Sequence, residues 1–128
     1  MCLLDAVVDW SPAAIRCRAG SHRSDDNPLR ADGQLGAACG IEYAAQAMAV
    51  HGALLAGSGD RPRQGYLASV RGVDFYAERL DDVAGDLDIA AERVSGDDNN
   101  VLYQFTVSGD GRLLLAGRAA VILDAERK

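Results

Sequence analysis

No run of the sequence approaches the roughly 18 apolar residues that a membrane-spanning helix needs. Its most apolar stretch, residues 44–56, is broken by Gln46, His51 and Gly52. Cysteine is scarce: Cys2, Cys17 and Cys39 form no C-x-x-C pair, and three is an odd number for a disulfide frame. A structural zinc site is thereby disfavoured. The thiols read as small hydrophobes of a reducing compartment. Basic charge is in deficit, with 13 Lys and Arg against 19 Asp and Glu and a net charge of -6. That balance is a poor match for nucleic acid. No basic segment opens the chain, so no secretory signal is expected and a cytoplasmic protein is the reading. Also missing are a Ser-His-Asp spacing, a phosphate-cradling glycine loop and a cluster with metal-ligand spacing, so no metal is expected.

What is present is one domain's worth of chain, 128 residues that are 48% hydrophobic and 25% charged. That mixture argues against a disordered chain. The acid is uneven: residues 67–128 carry 12 acidic and 7 basic side chains, residues 1–66 only 7 and 6. The cluster over 74–98 reads as a solvated sheet edge with its loops.

Residues 3–9 are apolar and β-branched, a first strand, and Trp10-Ser11-Pro12 reads as a turn. Residues 14–18 alternate, with Ile15 and Cys17 on one face and Arg16 and Arg18 on the other, which closes a hairpin. Residues 21–33 form a long polar loop of the kind that borders functional sites. Residues 34–56 are alanine-rich, a helix apolar on nearly every side and so expected to be buried all round, stopping at Gly57-Ser58-Gly59-Asp60. Strands follow over 64–75, 87–95, 101–108 and 112–123. Asp97-Asp98-Asn99-Asn100 and Gly109-Asp110-Gly111 supply turn chemistry between them. A long helix with no partner helix has to be covered by the sheet itself. The economical solution is an α+β hotdog architecture, an antiparallel sheet wrapped around one central helix.

Glu42 carries the most chemical information. A carboxylate on a buried helix is costly, and its pKa rises toward the range useful to a general acid or base. Gln46, one turn on, shares its face and is placed to orient Glu42 or a substrate. From spacing alone, a structural carboxylate satisfied by backbone donors or at a subunit seam is equally open. The helix start at Leu35-Gly36-Ala37-Ala38 offers unpaired amides and small side chains, which suit an oxyanion or enolate. His22 in the loop and His51 in the helix are each more often structural than catalytic. Cys39 sits where a thiol pKa can fall, although core packing is the simpler account. Arg61, Arg63, Arg71 and Arg79 suit an acidic carrier protein or a phosphopantetheine phosphate, or are ordinary surface charge.

Gly40-Ile41-Glu42-Tyr43-Ala44-Ala45-Gln46-Ala47 resembles the E-x-x-A-Q motif on the central helix of hotdog 3-hydroxyacyl-(acyl carrier protein) dehydratases. Cys2-Leu3-Leu4-Asp5-Ala6-Val7 is similar to their first strand, Gly65-Tyr66-Leu67-Ala68-Ser69-Val70 to the strand after the helix, and Val83-Ala84-Gly85-Asp86-Leu87 to their P-G-D-x-L turn. The stretches occur in the family's order. The segment from Asn27 to Leu35, running on to Glu42, resembles the branch found in aryl-polyene and related polyketide gene clusters. The resemblance implies a single hotdog domain over residues 1–128, with an N-terminus shortened relative to the family.

It further implies a dimer, a homodimer or a heterodimer with a second hotdog subunit, pairing sheets edge to edge with sites at the seam. The substrate would be an acyl chain on the phosphopantetheine of an acyl carrier protein, with no bound cofactor. A histidine would take the C2 proton, a helix carboxylate would assist loss of the C3 hydroxyl as water, and helix-start amides would polarise the thioester carbonyl. Carried over, Glu42 and His22 become catalytic. Gln46, Gly36, Ala37 and Tyr66 become substrate-binding, and Arg61, Arg63 and Arg71 carrier-binding. The sequence departs from the family at Pro28, 14 residues before Glu42, where the dehydratases hold their histidine. His22 lies 20 residues before Glu42. That departure favours an alternative, a non-catalytic hotdog subunit that binds carrier protein or completes a heterodimer. A hotdog acyl thioesterase is the third reading.

Overall fold

Alternation of apolar and polar residues builds the sheet. β1 (Ala6–Trp10) turns at Ser11, where Ser11 and Ala14 bond each other's backbones, into antiparallel β2 (Ala14–Ala19). Ile15, Cys17 and Ala19 are buried while Arg16 and Arg18 are exposed, the period of two that the sequence announces. The computed structural model describes residues 3–31, 33–56, 65–96 and 100–123. The remaining strands are β3 (Gly65–Phe75), β4 (Leu87–Gly96), β5 (Asn100–Gly109) and β6 (Arg112–Leu123). All pairings are antiparallel, in the order β1-β2-β4-β5-β6-β3. The β5–β6 turn places Asp110 at φ 53° and Gly111 at φ 77°. Positive φ at both central residues matches the twist of a two-residue hairpin. The Asp110 carboxylate then accepts from the amides of Ala84 and Gly85, which ties this turn to the loop before β4.

The single long helix, α1 (Gly40–Ala56), lies on the inner face of the sheet. The architecture is the hotdog expected from the element order. Tyr43, Ala44, Ala47, Met48 and His51 are buried, together with Leu87, Ile89 and Ala91 of β4 and Val101, Tyr103, Phe105 and Val107 of β5. Gly40 marks a close approach: a Cβ there would stand 2.6 Å from a methyl group of Leu115 on β6.

Two expectations are corrected. The helix begins at Gly40 rather than at residue 34, because the preceding chain is committed elsewhere. Ala31 bridges Gln34, Gly36 bridges Arg79, and Ala37–Cys39 form a 3-10 turn. Nor is the helix buried all round: Glu42, Ala49 and Ala53 are exposed. The sheet covers one side of α1 only. Alanine inflates the apolar count without requiring burial, since an exposed methyl group costs little.

One carboxylate holds the start of the helix. Leu35 donates its amide to Asp81 Oδ1 at 2.9 Å, and the same carboxylate accepts from the Arg79 guanidinium. The backbone completes the tie, Leu80 to Leu35 and Ala37 to Glu78. The Asp81 side chain is 7% exposed. The Arg79 guanidinium beside it holds its carboxyl well below the usual carboxylate range. Asp81→Ala leaves the Leu35 amide and the Arg79 head without their acceptor and is expected to cost about 1–3 kcal/mol in urea unfolding at pH 7. Because the folded-state pKa is depressed, this contribution is fully present above the ordinary carboxylate pKa and is lost progressively as pH falls from there through the lower folded-state value. The difference between wild type and Asp81→Ala should therefore shrink below about pH 4.

Candidate active site

Gly36, Ala38 and Glu42 stand exposed at and just before the start of α1. The bridge between Gly36 and Arg79 is made by the neighbouring groups, Leu35 O and Ala37 N. The Gly36 amide has no hydrogen bond among the described residues, and a Cβ at this position would meet nothing within 4 Å. Gly36 thus carries an unbonded amide and has open space where a side chain would stand, just before the helix start. Glu42 makes no hydrogen bond or ion pair among the described residues. Its expected burial is corrected: it stands on the uncovered side of the helix.

The other proposed substrate-binding groups are committed or undescribed. Ala37 is buried and its amide donates to Glu78 O at 3.0 Å, while the Leu35 amide is held by Asp81. Of the four helix-start amides expected to be unpaired, these two are therefore spent. Gln46 accepts the Leu3 amide at 2.8 Å, anchoring the lead-in to β1. Arg61, Arg63 and the side chain of Tyr66 lie outside the described residues. Arg71 is exposed on β3. Arg79, engaged by Asp81, is not a free phosphate ligand.

His22 lies on a one-turn 3-10 helix, Ser21–Arg23, and its ring is fully buried. Nε2 donates to Val83 O at 3.0 Å, and Nδ1 is buried with no partner. Burial pushes its pKa down, against the pull of the Val83 carbonyl. No contact between His22 and Glu42 is present among the described residues. The structure thus leaves Gly36 and Glu42 exposed on either side of the helix start and seats His22 beneath the loop before β4.

Side chains that sequence reasoning passed over fix this arrangement. Asn27 Nδ2 donates to the Tyr43 hydroxyl at 3.0 Å. Ser21 Oγ donates to Leu3 O at 2.7 Å, which leaves it to accept from Tyr43 at 2.8 Å. The chain of donors runs one way, from Asn27 through Tyr43 and Ser21 to the lead-in of β1, and each bond polarises the next. The signal was present: a tyrosine in an alanine-rich, sheet-covered helix has to find a partner for its hydroxyl. Arg30 clasps the loop from within, donating to the carbonyls of His22, Ser24 and Gly33. His51 is a core residue, with Nε2 donating to Ser11 O and Nδ1 facing the Tyr103 hydroxyl, both at 2.7 Å. Burial pushes the Cys39 thiol pKa up, opposite to the fall expected at a helix start. Among the described residues no group of three or more His, Cys, Asp and Glu is arranged to hold a metal ion, and no helix is long and apolar enough to cross a membrane.

A sequence model of the ApeP-like family, described as ApeP dehydratase, matches residues 1–127. Among curated proteins none matches the sequence. Among solved structures, the chain is similar to the dehydratase heterocomplex ApeI:P from Xenorhabdus doucetiae. The two are 23% identical over 98% of this chain and 84% of that one, with a TM-score of 0.86. A thioesterase from Haemophilus influenzae is 12% identical over 92% of this chain and 76% of its own, at 0.67. A hypothetical thioesterase with coenzyme A from Streptococcus pneumoniae is 11% identical over 96% and 90%, at 0.69. At these identities the structures speak for the fold.

The position of His22 has a measurable consequence. With its folded-state pKa lowered by burial, the folded state binds fewer protons than the unfolded state below the ordinary value of 6.5. Stability is then full above pH 6.5 and declines as pH falls beneath it. Urea unfolding at pH 8, 6 and 5 should show that decline in wild type and a shallower one in His22→Gln. Parallel declines would remove His22 as the cause.

Proposed function

The chain belongs to the ApeP-like dehydratase family, and from that premise we propose that it supplies Glu42 and the Gly36 amide to a site that removes water from a 3-hydroxyacyl thioester. The observation that carries this reading is a pair of exposed, unsatisfied groups flanking the start of α1, the Glu42 carboxylate and the Gly36 amide. In the proposed step a base takes the C2 proton and the C3–O bond breaks. The hydroxyl leaves as water with a proton from Glu42, and the Gly36 N–H stabilises charge on the thioester oxygen.

The base is the group this chain does not present at the open side. His22 is sealed beneath the loop before β4. A second hotdog subunit is proposed to cover the open side of α1, desolvating Glu42 and bringing the missing base. Two features support it. β3 stands at the end of the strand order, so one of its edges is available for sheet-to-sheet pairing. The similar Xenorhabdus structure is itself a dehydratase heterocomplex. The acyl chain is proposed to arrive on the phosphopantetheine of an acyl carrier protein. The buried state of His22 also favours a second reading, in which this chain is the non-catalytic member of such a pair.

The test offers a 3-hydroxyacyl thioester, on carrier protein and on a pantetheine mimic, to the protein alone and mixed with a second hotdog dehydratase subunit. Enoyl product and free thiol are followed together. Enoyl product from the mixture is expected, with turnover reduced about 100-fold or more in Glu42→Gln and an unchanged melting temperature, because Glu42 is exposed. Undiminished turnover in Glu42→Gln would assign the chemistry wholly to the other subunit. Free thiol in place of enoyl product would make the protein a thioesterase.

A further inference from the structure

A groove of about 480 Å³ opens on the face of the sheet away from α1, lined by Ser69, Arg71, Gly72, Leu102, Arg118 and Ala120. Register places it. Val101, Tyr103, Phe105 and Val107 of β5 point to the core, so Leu102 and Gln104 point outward. Ala120 and Arg118 pair with them on β6, and Ser69 and Arg71 pair in turn with Ala120 and Arg118 on β3. Arg71 and Arg118 are therefore directly opposite on adjacent strands.

Two like charges so placed destabilise a sheet, and nothing within the described chain offsets them. Neither guanidinium has an ion pair or hydrogen bond among the described residues. Arg16, Arg18, Arg23 and Arg79, by contrast, each meet a carboxylate. The other strand neighbour of Arg118 is the neutral Gln104. Asp74, the next acid along β3, is in register with Ala116 and makes no ion pair.

The backbone widens the groove. Between Arg71 and Asp74 the β3 register shifts, and Gly72 within that bulge has φ 58° with nothing within 4 Å of where a Cβ would stand. That conformation favours glycine, and the missing side chain leaves the space beside Arg71 open.

We propose that this groove binds a phosphate ester, with the phosphate between Arg71 and Arg118 and its organic chain along Leu102 and Ala120. Two planar guanidinium forks facing one space call for an acceptor with more than two oxygens and more than one lone pair direction. A phosphate meets both forks, whereas a carboxylate satisfies one. The groove volume is that of a small-molecule site. The Ser69 hydroxyl lines the same wall. This assignment rests on the groove alone, not on the acyl reading of the helix site. Pairing of β3 with a second subunit would use its backbone edge and leave this face open.

Calorimetric titration of the full chain with 4′-phosphopantetheine, pantetheine and inorganic phosphate tests it. The phosphate ester should bind, pantetheine should not, and inorganic phosphate should bind more weakly than the ester. Arg71→Gln and Arg118→Gln should each weaken ester binding about tenfold or more. Arg112→Gln, an exposed arginine outside the groove, should leave it unchanged. Without ligand, Arg118→Gln should melt no lower than wild type, since it removes a repulsion. Equal binding by all three variants, or by pantetheine and its phosphate, would overturn the proposal. Inorganic phosphate binding as tightly as the ester would reduce the groove to an adventitious ion site only. A lower melting temperature for ligand-free Arg118→Gln would show that the two charges are not in uncompensated opposition.

Discussion

A single helix of 17 residues has to close the inner face of a six-stranded sheet. That mismatch governs the rest of the molecule. The helix gives one side to the sheet, through Tyr43, Ala44, Ala47, Met48 and His51. Its opposite side is left with small residues and one carboxylate. A second helix would have buried that side and removed any site. Here the helix start instead keeps an unbonded amide and an acid in the open, which a second helix would have covered.

The irregular segments have no ladder to satisfy their backbone groups, so side chains do it. Asp81 holds the chain before α1, Asp110 the chain before β4, and Arg23 reaches Ala84 O and Asp86 from the other side. The buried polar groups of the helix are wired likewise, Tyr43 to the loop and His51 to the first turn and β5. These bonds set where the helix starts and how far it can slide against the sheet.

The strands were legible because alternation is a local signal. Ile15 and Cys17 face inward as their spacing requires, and Gly109-Asp110-Gly111 turns as its composition requires. The helix start was not legible at residue 34. Alanine propensity argues for helix there, while the competing ties to Glu78, Leu80 and Asp81 lie more than 40 residues away in sequence. Glu42 was legible as the odd residue of the helix, and its exposure was not, because alanine reads as apolar on either side. The path of the loop carries no periodicity, so the seat of His22 beneath Val83 could not be deduced from its spacing to Glu42. Nor could the meeting of Arg71 with Arg118, which depends on the register of two strands far apart in the chain.

The loop that Arg30 clasps has a bearing on affinity. The described residues of 21–34 contain little regular structure, yet one guanidinium gathers three of their carbonyls, and Asn27 caps the turn at Leu29. A segment already held by such bonds has less rotational freedom to surrender when another surface settles on it. Whatever meets the protein beside the helix start pays little entropic toll for ordering this segment, and more of the contact energy formed there is retained as binding.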